Sequence, residues 1–124
     1  MKTLLFENDE IKFELEDGIL IATWKAVFLD KALVKKIINH RLEVLKGKSY
    51  PFLSNIKSIK NSTKEARDFL ASKEGCQGAL SVAILINSQV SKMIANFFIG
   101  YSKPFIPTRM FTDEAEAKKW LQLK

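Results

Sequence analysis

Ser62 and Thr63, in the stretch KSIKNSTKEARDFL (residues 57–70), are the hydroxyls whose neighbours could support chemistry. A phosphate on either would carry a charge of roughly −1.5 to −2. Lys57, Lys60, Lys64 and Arg67 are near enough in sequence to compensate it. If a helix starts here, its free N–H groups and the positive end of its dipole favour the same anion. The residues also have a complete structural reading. Ser62-Thr63-Lys64-Glu65 fits the S-x-x-E capping box, in which the serine oxygen accepts from the third helical N–H and the glutamate reaches back to the serine N–H. The cap is the first reading; Ser62 and Thr63 as phospho-acceptors is the second. Phosphorylation would require Glu65 to swing away from the new charge.

The remaining reactive side chains do not form a constellation. Cys76 is the single cysteine and His40 the single histidine, so neither an internal disulfide nor a Cys/His zinc cluster can be built. A Cys76–His40 pair has no local support. Cys76 stands in a Gly-flanked loop, where an exposed thiol is one expectation. His40, late in a helical stretch, reads as a surface residue near a helix C-terminus. Glu14 and Glu16 share the polar face of a strand. Asp113, Glu114 and Glu116 suit the first turn of a helix. No glycine-rich phosphate loop, Ser/His/Asp arrangement or metal-ligand spacing occurs. No catalytic residue, cofactor or metal is therefore expected, and the chain reads as a non-enzyme. A different kind of candidate is MIANFFIGY, where Met93, Phe97, Phe98 and Tyr101 exceed one narrow apolar stripe. The surplus suits a helix buried between other elements, a protein or dimer interface, or the wall of an apolar cleft.

These residues sit in a chain of 124 residues, the size of one domain, and residues 1–124 are taken as one. The formal charge is +6 and the middle of the chain is basic. Aromatic residues are not interleaved with these lysines and no nucleic-acid motif is present, so the charge reads as a solvated surface and no specific nucleic-acid partner is expected. The opening MKTLLFENDE has only a three-residue apolar run before its acids, unlike a signal peptide. ALSVAILI is far short of a membrane span. With one cysteine, these features give a cytoplasmic expectation.

The elements that must position the candidates follow from periodicity. Ile11, Phe13 and Leu15 alternate with Lys12, Glu14 and Glu16, as in a half-buried strand. Asp17-Gly18 supplies a hairpin turn, and Ile19 to Trp24 returns. Thr3 to Phe6 adds an outer strand. Asp30 caps a helix with Leu33, Val34, Ile37, Ile38, Leu42 and Leu45 at helical spacing, ended by Gly47. YPFLSNI is a strand. A helix from Ser62 to about Glu74 turns Ala66, Phe69 and Leu70 inward. ALSVAILI is a central strand covered on both faces. A helix from about Ser88 to Tyr101, a strand IPTRMF and a helix capped by Thr112 complete the chain. The expectation is an α/β fold: an N-terminal antiparallel hairpin, then β-α-β-α-β-α, with a mixed sheet of four to five strands and packed helices.

This order of elements resembles the STAS superfamily, and more narrowly the small bacterial SpoIIAA-like domains. The segment ANFFIGYSKPFIPTRMFTDEAEAKKWL is similar to the closing segment of SpoIIAA-like sequences. In the anti-sigma-factor antagonists of the superfamily, an Asp-Ser-Ser-Gly-like sequence at a helix start holds the phosphorylated serine. IKNSTKEA would place Asn61 at the aspartate, Ser62 at that serine and Thr63 beside it. Asn61 is not acidic here, and Lys64 and Glu65 replace small and apolar residues. The resemblance implies a non-enzymatic regulatory module that binds a protein partner, with a homodimer as one form. Because some SpoIIAA-like proteins are grouped with lipid-binding SEC14-like domains, it also implies an alternative: a carrier of a small apolar ligand in a cleft beside the helix at 88–101.

Overall fold

The computed structural model describes residues 2–123. The chain opens with an antiparallel meander of β1 (Thr3–Glu7), β2 (Ile11–Glu16) and β3 (Ile19–Trp24). Asp17 and Gly18 join β2 to β3 with φ of 52° and 75°, the two positive values that a two-residue hairpin of this hand needs. After the short β4 (Phe28–Leu29), α1 (Lys31–Leu45) starts at Asp30, whose carboxylate accepts from the Leu33 N–H at 2.8 Å. β5 (Tyr50–Asn55), β6 (Asn61–Ser62), α2 (Lys64–Ala71), β7 (Ala79–Leu85), α3 (Gln89–Phe97), β8 (Thr108–Phe111) and α4 (Glu114–Gln122) follow. The main sheet has the order β1-β2-β3-β5-β7-β8, antiparallel at the β1 end and parallel from β3 to β8. This is the expected mixed α/β class, with six strands once the outer β1 is included. β4 and β6 form a separate two-residue parallel pair.

Strand period 2 divides the side chains between two cores. Phe13, Leu20, Ala22, Trp24, Phe52 and Ile84 pack against Val34, Ile37 and Ile38 of α1, Ala66 of α2, and Ile94 and Ala95 of α3. On the other face, Ile19, Ile21, Leu53, Ala83 and Leu85 pack against Ala117 and Leu121 of α4. One face thus carries three helices and the other carries one.

Several boundaries differ from the periodic reading, each for a local reason. α2 begins after Thr63, because Ser62 is held extended in β6 by pairing with Leu29. It ends at Ala71, where the Ser72 hydroxyl donates to the Phe69 carbonyl and accepts from the Gly75 N–H. α4 is capped by Asp113 rather than Thr112: the carboxylate accepts from the Ala115 N–H at 3.2 Å. α3 ends at Phe97. Phe98–Ser102 continue as one turn of π-helix, closed by the Lys103 N–H donating to the Phe98 carbonyl.

Candidate functional site

Ser62 and Thr63 divide the roles that one serine was expected to fill. The Thr63 hydroxyl caps α2 by accepting from the Ala66 N–H at 3.0 Å. Ser62 is buried, and its hydroxyl accepts from the Arg67 guanidinium at 2.8 Å. The same Arg67 nitrogen donates to the Ser62 carbonyl at 2.8 Å. Glu65 is exposed in the first turn of α2. The expected Ser62–Glu65 capping box is therefore replaced by a Thr63 cap and a Ser62–Arg67 clamp.

Ser62 and Arg67 form part of the wall of a cavity between the sheet and the helices of the three-helix face. Its volume is about 90 Å³. Phe13, Trp24, Phe52 and Ile84 line it from the strands, and Ile94 and Ala95 from α3. Phe98, in the π-turn, closes another part. Turns of π-helix are rare and recur at functional sites. The lining is mostly apolar. Its polar groups are few and mostly paired: the Trp24 indole N–H donates to the Ser54 hydroxyl at 2.8 Å, and the Thr108 hydroxyl donates to the Ile106 carbonyl.

The basic middle of the chain, to which Arg41 of α1 belongs, reads in sequence as a solvated surface. Arg41 lines this cavity instead and is only 6% exposed. Its Nη2 donates to the carbonyls of Gly75 and Gln77 at 2.7 and 2.8 Å, and Phe52 lies under the guanidinium at 5.0 Å. Its Nε is buried with no hydrogen-bond partner. Burial lowers the pKa of Arg41 to about 10, which leaves it cationic at neutral pH. The sequence held a signal for this position. Arg41 is four residues from both Ile37 and Leu45, on the inner stripe of α1.

Cys76 sits in the same wall and is buried, not exposed as its glycine-flanked loop suggested. Burial pushes its thiol pKa up, with Arg41 opposing in part, so the protonated form prevails at neutral pH. Its sulfur is 3.4 Å from the Leu70 carbonyl. His40 faces away towards β1, stacked on Phe6 at 4.4 Å. Glu16 pairs with Lys118 of α4 at 2.6 Å. Among the described residues no group of three His, Cys, Asp or Glu side chains is arranged to hold a metal.

The four apolar candidates of the helix at 88–101 separate. Phe98 turns inward to the cavity. Met93, Phe97 and Tyr101 lie outside, with 52%, 39% and 80% of their surface exposed, so one helix presents a cavity wall and an open apolar ridge. The ridge has some order of its own: Phe97 and Tyr101 rings are 5.6 Å apart, and Arg67 lies over Phe97 at 5.3 Å. No helix among the described residues is long and apolar enough to cross a membrane.

Comparison with known proteins bears on the fold. The model of a family described as "Domain of unknown function (DUF7793)" matches residues 13–123. No curated protein matches the chain. Among solved structures, the chain is similar to an uncharacterized protein of the DUF3478 family with a SpoIIAA-like fold, from Shewanella loihica PV-4. The two share 16% identity, the match covers 98% of this chain and 95% of that one, and the TM-score is 0.62. A protein of unknown function from Arthrobacter sp. FB24 matches at 28% identity over 87% of this chain and 95% of its own, with a TM-score of 0.35.

Proposed function

The chain belongs to the DUF7793 family and has a SpoIIAA-like fold, and from that premise we propose that it is a non-enzymatic binding module for a small, mainly apolar ligand held between the sheet and α3. The cavity beneath α3 and its π-turn carries this reading. Well-packed interiors leave few voids larger than a water molecule. Here a void of about 90 Å³ is walled by aromatic and aliphatic side chains from both layers. The non-enzymatic part rests on the state of the reactive groups. Cys76 is a protonated, buried thiol, and His40 is engaged with Phe6 away from it. The cytoplasm suits a module with one unpaired cysteine.

Native mass spectrometry of freshly purified protein tests the reading, with Ala95→Phe as the control that fills the cavity. A bound small molecule lost in Ala95→Phe, with the fold kept by circular dichroism, is the expected result. Failure of wild-type protein to retain or take up any small apolar compound counts against it.

A second reading is favoured by the ridge of Met93, Phe97 and Tyr101. We propose it as a protein-binding face, for another protein or a second copy of the chain, next to the Ser62–Arg67 clamp. Sedimentation of wild type and Phe97→Lys over a range of concentrations checks the homodimer form. A monomer at all concentrations in both removes that form.

A further inference from the structure

The cavity contains a charge that its own walls do not balance. Two arginines, Arg41 and Arg67, line it, and among the described residues no aspartate or glutamate does. Arg67 spends its Nη1 on Ser62 and has its guanidinium over Phe97, partly open to solvent. Arg41 is 6% exposed and has no carboxylate partner among the described residues. Of its five N–H donors, the two on Nη2 are used by the Gly75 and Gln77 carbonyls, the one on Nε is buried without an acceptor, and the two on Nη1 make no hydrogen bond among the described residues. A buried guanidinium without a counter-ion is costly, and so is each buried donor left unmatched. Holding the loop after α2 explains the two carbonyl contacts. It does not explain why a full positive charge lines an otherwise apolar void.

We propose that the cavity receives a compact amphipathic carboxylate, its apolar body among Trp24, Phe52 and Phe98 and its carboxylate accepting from Arg41. This rests on the ligand-binding reading and names the class of ligand. A hydrogen bond between opposite charges is stronger than one between neutral groups, and with both Nη2 hydrogens held by carbonyls the donor left for the carboxylate is Nη1. The surrounding low-dielectric wall strengthens that attraction further. The volume of about 90 Å³ selects a short acid over a long acyl chain. Typical pockets for larger organic ligands are several-fold bigger, roughly 300–1,000 Å³.

Isothermal titration calorimetry of the full chain at pH 7.5 with propionate and with 1-propanol tests the proposal. The two probes share a chain length, are short enough for the cavity and differ in the head group. Propionate is expected to bind at least tenfold more tightly than propanol. Arg41→Met should remove that preference while leaving propanol affinity within threefold, and Arg41→Lys should keep part of it. Because a substitution at a buried arginine can impair folding, a wild-type measurement accompanies them: the Arg41 guanidinium resonances in NMR should shift with propionate and stay in place with propanol. Equal affinity for both probes, or a propionate preference that survives in folded Arg41→Met, or Arg41 resonances unmoved by propionate, overturns the proposal and leaves an apolar cavity. Binding of neither probe overturns both the proposal and the ligand-binding reading.

Discussion

Thr63 closes the first turn of α2 while Ser62, one residue earlier, anchors Arg67 across the cavity wall. The two hydroxyls therefore fail differently when removed. Thr63→Ala loses a helix cap and should lower unfolding free energy by about 1 kcal/mol in urea denaturation. Ser62→Ala leaves an arginine with one acceptor fewer, a loss of roughly 0.5–1.5 kcal/mol. It should also loosen the wall, seen as faster hydrogen exchange of the Arg67 side chain. Gly75 is a second sensitive residue. A Cβ there would collide with the Phe69 carbonyl oxygen and come within 2.9 Å of the Leu70 Cα and carbonyl oxygen, all backbone atoms that cannot move aside cheaply. Gly75→Ala should cost about 1–3 kcal/mol through overpacking. It should weaken any ligand at Arg41 as well, since the Gly75 carbonyl orients that guanidinium. Whether Ser62 or Thr63 caps the helix was not legible in the sequence, because both carry a suitable oxygen. Pairing of Leu29 with Ser62, between residues far apart in the chain, decides it.

At the level of elements, α2 is tied to the π-turn by Asp68, which accepts from Lys64 at 2.6 Å and from the Ser102 hydroxyl at 2.7 Å. These bonds, with Lys64 the larger cause, lower the Asp68 pKa below its ordinary value of 3.8. A carboxylate with a depressed folded-state pKa contributes stability that is fully present above its unfolded pKa and disappears as pH falls through the folded one. The tie should therefore hold at neutral pH, and its contribution should shrink progressively as pH falls from about 4 through the depressed folded-state value. In a series of melts from pH 6 to pH 2, Asp68→Asn should flatten the acid part of the wild-type curve. Because both partners are exposed to water, added salt should shrink the Lys64 share and spare the Ser102 share. The β2–β3 hairpin was readable from Asp17-Gly18 and the flanking alternation, both local signals. So was the Asp30 cap of α1. The π-turn after Phe97 was not, since continuous helix and helix with a π-turn share the same apolar spacing over so short a run. Arg41 was legible in principle from its place on the inner stripe, but chemical type outweighs position when a charged residue is assigned to a surface.

Across the whole molecule, the sheet separates two cores of unequal burden. The three-helix face holds the cavity, and the α4 face is closed by Leu121 and Ala117 over Leu53, Ala83 and Leu85. Leu121, with 1% exposure, fills the centre of that second contact. Leu121→Ala should destabilise the protein by about 2–5 kcal/mol while leaving ligand affinity on the opposite face nearly unchanged at temperatures where the protein stays folded. A calorimetric melt paired with a binding titration checks both halves of that expectation. The alternation of strands and helices made the layered architecture legible. Which face would carry three helices was not, because a central strand such as ALSVAILI is apolar on both sides and does not say what covers each.

The same division gives the molecule two natural optical reporters. Its only tryptophans lie on opposite faces: Trp24 in the cavity wall, bonded to Ser54, and Trp120 on α4 against Phe111. Indole emission depends on the polarity around the ring. Trp120→Phe would leave a chain whose fluorescence reads only occupancy beneath α3, and Trp24→Phe one that reads only the seating of α4. The protein thus contains, without any label, the means to tell filling of its cavity from loosening of its last helix.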